Sequence, residues 1–359
     1  MLRCQTLLSS LKGNAVKGRI SNPIKTREKV PRTFKEKIDE FIRSPQGRKL
    51  RIFILTGTMV VYPIGALICN GPLIEKTFPW RFNITYELPE KLKKLIDEEY
   101  KNFLDKENRL ERDAVVRFSI NNDESVYDSV AKSSLSTRFG AEIALPFYVK
   151  FDNIEEATDY CKKNLKTINY FDEKLTIDWD SENGEKIIAS FVLSDKAKRF
   201  LIIRDMYGND GYHAFGNRSL GWATWTAFSG VSTYYFHQRS KLCNGTALSF
   251  VILYSFFLTF AWFGANEWYK LYRFMQDLRG DSEASKMTSD YCIGGKEYYL
   301  KMLGRNRLLC ERMKGGLSKL LPSGDVKKIV TSIVKRYDLI KDVSIENEKK
   351  KEVFSMDLW

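Results

Sequence analysis

The sequence is poor in the side chains that enzymes most often use. Its 359 residues include 2 histidines, and neither His213 nor His237 stands in HExxH or any other metal spacing. The cysteines at 4, 69, 161, 243, 292 and 310 form no CxxC pair and no Cys/His cluster. That pattern supports neither a zinc site nor a disulfide framework, so the thiols are expected to be free. GxSxG, Walker and GxGxxG motifs are also missing from positions that would open a helix. The acidic clusters Asp97-Glu98-Glu99 and Glu155-Glu156 read as solvated helix faces, and Arg204 with Asp205 as a helix surface. No catalytic residue, cofactor or metal ligand is assigned, and an enzyme is not expected.

Charge is missing from three long stretches. Ser219 to Phe236 and Thr246 to Ala265 contain none, and Ile52 to Ile74 contains none between Arg51 and Glu75. At 1.5 Å per residue each is long enough to cross a hydrocarbon core of about 30 Å. Core helices of soluble proteins rarely stay uncharged on every face for this length. Pro63 in the first stretch also fits, because neighbouring membrane helices re-satisfy the carbonyl it frees. The turn from His237 to Gly245 joins the last two stretches into a hairpin. Trp222, Trp225, Trp262 and Trp268 lie near its ends, where amphipathic rings favour the headgroup layer. Ala223 with Ala227 and Ala261 with Ala265 have the small-xxx-small spacing that lets helices approach. The fold class is an α-helical multi-pass membrane protein with three predicted spans, the last two a helical hairpin.

A net charge of +13 could indicate nucleic acid, but its distribution does not. Residues 1–51 carry about 14 Lys and Arg against about 4 acids, an excess confined to one terminus. The first acid is Glu28, and Leu2, Leu7, Leu8 and Leu11 share a helical face, as in a mitochondrial transit peptide. Lys and Arg up to Arg51 place the N-terminus in the matrix by the positive-inside rule. The soluble domain then faces the intermembrane space. Lys270, Arg273 and Arg279 beyond the last span run against that rule. Sequons at Asn83, Asn217 and Asn244 would matter in the endoplasmic reticulum, the alternative location.

The boundaries follow. Residues 1–47 are the transit peptide and matrix arm, 51–74 the first span and 75–218 a small α+β soluble domain. Residues 219–236 and 246–265 are the second and third spans, and 266–359 a mainly helical C-terminal region. In the soluble domain Leu88 to Glu107 is an amphipathic helix. Strands are expected at Ala114 to Ile120, Ala141 to Phe151 and Leu175 to Trp179. The last of these should pair with Lys186 to Leu193 through a turn at Glu182-Asn-Gly184. Ser194 caps a helix running to about Tyr207. In the C-terminal region Ser282 to Met313 is helical, broken near Gly294-Gly295 or Gly304, with a turn at Pro322 and a helix over 326–338.

Taken in order, these features resemble the transmembrane protein 177 family of mitochondrial inner-membrane proteins, from about residue 48 onward. The residues that carry it are the Pro-containing first span, Leu175-Thr-Ile-Asp-Trp179, Leu193-Ser-Asp-Lys-Ala-Lys-Arg-Phe200 and the two-span hairpin. Tyr291-Cys-Ile-Gly-Gly-Lys-Glu-Tyr-Tyr299, Leu321-Pro-Ser-Gly324 and Met356-Asp-Leu-Trp359 complete it. The chain departs from the family pattern in its longer basic arm and in Ile340 to Lys351. The resemblance implies a non-enzymatic factor that stabilises newly made cytochrome c oxidase subunit II together with its membrane assembly chaperone. It supplies no catalytic residues. Trp179, Gly294, Gly295 and Trp359 are candidate packing or partner-contact positions. Expected partners are subunit II, its chaperone and the lipid bilayer, and no nucleic acid. An alternative is a lipid-binding or lipid-handling membrane protein, which would have a preformed apolar pocket with convergent polar groups.

Overall fold

A computed structural model describes residues 33–341 apart from 126, 171–172, 240–244, 314–315 and 328–329. The predicted transit peptide, the C-terminal ending with Trp359 and most of the turn between the second and third predicted spans lie outside these residues. Helix α1 (Phe34–Arg43) opens on a capping box between Thr33 and Glu36. Ser44 then caps α2 (Pro45–Asn70), with Pro45 in its first turn, where no N–H is needed. Helix α2 contains Pro63 and ends at Asn70, short of the predicted Ile74. A separate short helix, α3 (Ile74–Arg81), follows.

The soluble body has a four-stranded sheet of β1 (Ile84–Thr85), β2 (Val116–Asn121), β3 (Val130–Ser133) and β4 (Ala141–Pro146), in the order β1-β2-β4-β3. The β2–β4 pair is parallel, with Phe118 beside Ile143, and the other pairs are antiparallel. Helix α4 (Glu90–Glu107) lays Leu92, Leu95, Ile96 and Phe103 into the core. Helix α5 (Ile154–Asn164) precedes a hairpin of β5 (Thr167–Tyr170) and β6 (Glu173–Thr176), in which Ile168 faces Leu175. The predicted strand Lys186 to Leu193 is instead helix α6 (Glu182–Phe191). Ser181 accepts from the Gly184 N–H and begins it, and Ile187, Ile188 and Phe191 line its buried face. Packing thus overrides the strand preference of Ile and Phe.

Helix α7 (Asp195–Gly208) is capped by Ser194 as expected, and its apolar centre from Phe200 to Ile203 is wholly buried. Helices α8 (Tyr212–Arg239) and α9 (Ala247–Met287) form the hairpin. At 41 residues α9 is about 60 Å long, twice a bilayer core. It runs past the predicted span and into the soluble body. Helix α10 (Ser289–Cys310) follows Thr288 and runs unbroken through all the glycines expected to interrupt it. A short helix α11 (Gly316–Lys319) and a helical stretch over 333–341 finish the described chain. One cluster of buried side chains runs from Leu92 through α7 and α10 to Ile340, so the C-terminal helices share a core with the sheet.

Two helices, α2 and α9, are long and apolar enough to cross a membrane. Only 6 % and 11 % of their apolar stretches are buried, which sets them apart from soluble core helices. The expectation of three such helices needs correction, because α8 does not meet the same standard. Its Ser, Thr, Gly and His residues lower its mean hydropathy. Those residues form one face: Ser219, Thr226, Ser229, Gly230, Thr233 and His237 are all buried. Leu220, Phe228, Val231 and Tyr235 point outward and are exposed.

Candidate functional site

The functional architecture has two parts, a bundle of three long helices and the joint that fixes it to the soluble body. Helix α8 lies between α2 and α9, antiparallel to both. Near one end Arg51 of α2 donates to His237 Nδ1 of α8, and the other ring nitrogen of His237 lies 3.0 Å from the Thr246 carbonyl. Midway, Trp222 Nε1 donates to the Thr58 carbonyl at 3.0 Å, and Thr58 bonds to Tyr254 of α9. At the opposite end Trp268 Nε1 donates to Asn217 Oδ1 at 2.8 Å.

The hairpin closes through two reciprocal glycine–tryptophan contacts. A Cβ on Gly221 would lie 2.5 Å from the Trp268 ring, and one on Gly264 would lie 2.4 Å from the Trp225 ring. A side chain at either position would therefore force the facing indole to move. Each helix carries the unit G-x-x-x-W, Gly221 to Trp225 and Gly264 to Trp268, so in the antiparallel hairpin each indole covers the other helix's glycine. The alanine spacing seen in the sequence plays the lesser part, with Ala261 alone of the four fully buried. The signal in the sequence is the repeated G-x-x-x-W, one in each helix of the hairpin.

The joint is ionic and buried. Asp281, near the end of α9, accepts from Arg336 Nε at 2.6 Å, Arg336 Nη2 at 3.0 Å and the Tyr299 hydroxyl at 2.6 Å. Arg204 of α7 donates to Asp128 at 2.7 Å and to Asp205 at 2.6 and 2.9 Å, and the Tyr298 hydroxyl also reaches Asp128 at 2.8 Å. Burial alone would raise the Asp128 carboxyl, yet Arg204 and Arg336 hold it well below the usual carboxylate range. Burial pushes the Tyr298 and Tyr299 phenols well above theirs, so both remain donors. A cavity of about 340 Å³ opens beside Tyr299 and Arg336. The ionic groups named here are paired with one another, an arrangement that locks helices together. A second clamp joins Arg109 to Asp210 through bonds of 2.7 and 2.9 Å, with Ser136 and Arg279 closing on the same residue.

Several sequence expectations change here. Arg204 and Asp205 are buried partners in the joint, and Glu99 is fully buried, bonded to Arg199 and Tyr291. Trp179 is buried and donates its Nε1 hydrogen to the Leu165 carbonyl at 2.8 Å. A Cβ on Gly294 would lie 2.2 Å from the Lys196 carbonyl oxygen, and one on Gly295 would meet Phe200 and Ile340 at 2.8 Å. Both glycines sit where α10 crosses α7. Trp359 lies outside the described residues. Cys69, Cys161, Cys292 and Cys310 are free, and no cluster of metal-binding side chains occurs among the described residues. Asp281 and Arg336 had no signal in the sequence.

Comparison with known proteins places this architecture. The family model described as Transmembrane protein 177 matches residues 42–358. An uncharacterized protein of Caenorhabditis elegans is 41 % identical over 319 residues, covering 88 % of this chain and 96 % of its own length. No solved structure matches. The match takes in the bundle, the joint and the soluble body alike, and the chain belongs to the Transmembrane protein 177 family.

Proposed function

We propose that this chain is a non-enzymatic assembly factor of the mitochondrial inner membrane. On this reading it stabilises newly made cytochrome c oxidase subunit II together with that subunit's membrane assembly chaperone. The observation that carries the reading is the bare outer surface of the hairpin. Phe228, Val231 and Tyr235 of α8 and Val251, Phe256 and Phe260 of α9 are all exposed. Such a surface is unstable in water and suits lipid or the apolar helix of a client. The paired ionic groups of the joint favour a rigid scaffold over a reactive centre.

The bundle's order supports three crossings. Asp39 of α1 accepts from the Ala247 N–H at 2.8 Å, so α9 starts on the same side as the N-terminal arm. Its far end enters the soluble body. A chain that crosses in α2 and again in α9 must return between them, and α8 is the segment that connects those sides. Arg48, Lys49 and Arg51 at the start of α2 favour the matrix for that end, which leaves the body in the intermembrane space.

The test is purification of the C-terminally tagged protein from detergent-solubilised mitochondria after pulse-labelling of mitochondrial translation. Enrichment of new subunit II with its chaperone is expected. Their absence from an intact, correctly located protein would remove the oxidase role.

A further inference from the structure

Where the bundle meets the soluble body, a cavity of about 540 Å³ opens between α2, α8, α9 and β3. Its lower wall is the last two turns of α2, including Gly65, Ala66 and Cys69, with Phe215 of α8. Its upper wall carries Arg81, Lys132, Arg218 and Arg273, and no carboxylate lines it among the described residues. Arg81 and Arg218 stand exposed at the mouth, and Lys132 and Arg273 are half-buried.

These cations are poorly matched by the protein itself. Arg81 donates to the neutral Asn70 Oδ1 at 2.8 Å, and the Arg218 guanidinium lies 5.2 Å over the Tyr269 ring. Arg273 is 4.0 Å from Asp277, at the limit of an ion pair. Lys132 has no hydrogen bond or ion pair among the described residues. Burial, together with Arg273, Arg218 and Arg81, pushes its ammonium down to about 8. Elsewhere in the soluble body Lys198 meets Asp152 at 2.6 Å and Arg336 meets Asp281 at 2.6 Å, while buried Arg305 lies over the rings of Tyr127, Tyr148 and Phe191. The cavity differs in bringing four cations together with no carboxylate among its described lining residues and only Asp277, at the limit of reach of Arg273, beyond them.

We propose that this cavity binds the phosphate of an anionic phospholipid, with the headgroup among Arg81, Lys132, Arg218 and Arg273 and the acyl chains against α2. A phosphate oxyanion supplies the acceptors that these donors lack. The level of the site selects a lipid over a free phosphate. It lies where an apolar helix meets a charged surface, beside the rings of Tyr62 and Tyr269. It also gives Arg273, one of the basic residues beyond the last predicted span that run against the positive-inside rule, a role of its own. The inference rests on the membrane placement of α2 and α9 and is independent of the oxidase partner.

The experiment uses the purified full-length protein in detergent, titrated with phosphatidylglycerol, phosphatidylcholine or inorganic phosphate and read by native mass spectrometry and thermal melting. Phosphatidylglycerol is expected to be retained and to raise the melting midpoint, with phosphatidylcholine and inorganic phosphate doing neither. The Lys132→Gln, Arg218→Gln double variant should lose retention by about tenfold or more, while exposed Lys94→Gln keeps it. In lipid-free detergent the double variant should melt no lower than the parent, because unmatched charge has been removed. If it does not fold, Arg218→Gln alone, at the exposed mouth, gives the same reading with a smaller loss. Undiminished retention by the variants overturns the site. Equal stabilisation by inorganic phosphate overturns the lipid assignment and leaves a soluble phosphate site.

Discussion

Helices α7 and α8 are neighbours in sequence and opposites in construction. In α7 Phe200, Leu201, Ile202 and Ile203 are buried and its charges are paired inside the body, Arg204 with Asp128 and Lys198 with Asp152. In α8 the small polar residues are inside, the large apolar ones outside, and the charges stand at the ends. On the proposal that α8 crosses the membrane, the difference follows from the solvent each helix meets. Water drives apolar side chains inward. Lipid provides no such drive, so a membrane helix packs with small residues and leaves its large apolar ones outside. This is why average hydropathy sets α8 aside while its geometry matches that of its neighbours.

The comparison can be broken at either helix. The largest effect is expected from Asp281→Ala, which leaves Arg336 buried beside Arg204 without its closest partner, with only Asp128 at 3.6 Å. A loss of about 3–5 kcal/mol should appear as a lowered melting midpoint or failure to accumulate. Next is Val231→Asp on the outer face of α8. If that face meets lipid, insertion of α8 is disfavoured by about 3 kcal/mol and the protein accumulates to a lower level in the membrane. In a water-facing helix the same change would be harmless. Gly264→Ala then drives a methyl into the Trp225 ring and should cost about 1–3 kcal/mol, with weaker bundle cohesion in detergent.

Smaller effects sharpen the same contrast. The hydroxyls of Ser229 and Thr233 have no hydrogen-bond partner among the described residues. Thr233→Val should therefore be neutral or slightly stabilising, within about 1 kcal/mol, where in most buried networks it would destabilise. The smallest effect is on pH dependence. Arg81, Arg218 and Arg273 face Lys132 from three helices, and Glu142, beside it in register, is taken by Arg117 at 2.8 Å. The folded Lys132 loses its proton near 8 and the unfolded one near 10.5, so the unfolded chain holds the extra proton between those values. Stability from this group rises with pH across that window. The melting advantage of Lys132→Gln over the parent in lipid-free detergent should therefore shrink from pH 7.5 to pH 9.5, pH values set about the shift.

The parts legible in the sequence were those with one dominant physical signal. Uncharged length marked α2 and the apolar part of α9, and Ser194 with an apolar run marked α7. The stretch from Ile187 to Phe191 suited strand and helix equally, and contact with the core decided for helix. Gly294 and Gly295 looked like a break and proved to be a crossing point, because a glycine in a helix reports either and only the neighbour distinguishes them. The Asp281–Arg336 bond joins residues 55 apart in the chain, and no local pattern foretells such a pair. Half the joint was therefore invisible, although its helices were not.

The most direct test of the central claim, that α8 crosses the membrane with α2 and α9, is protease protection in mitoplasts. One epitope is placed in the turn between α8 and α9 and, in a separate protein, another in the exposed loop at Asp123. The account predicts that the body epitope is destroyed while the turn epitope survives until detergent is added. The same fate for both epitopes, cleaved or protected, would put both ends of α8 on one side and contradict the account.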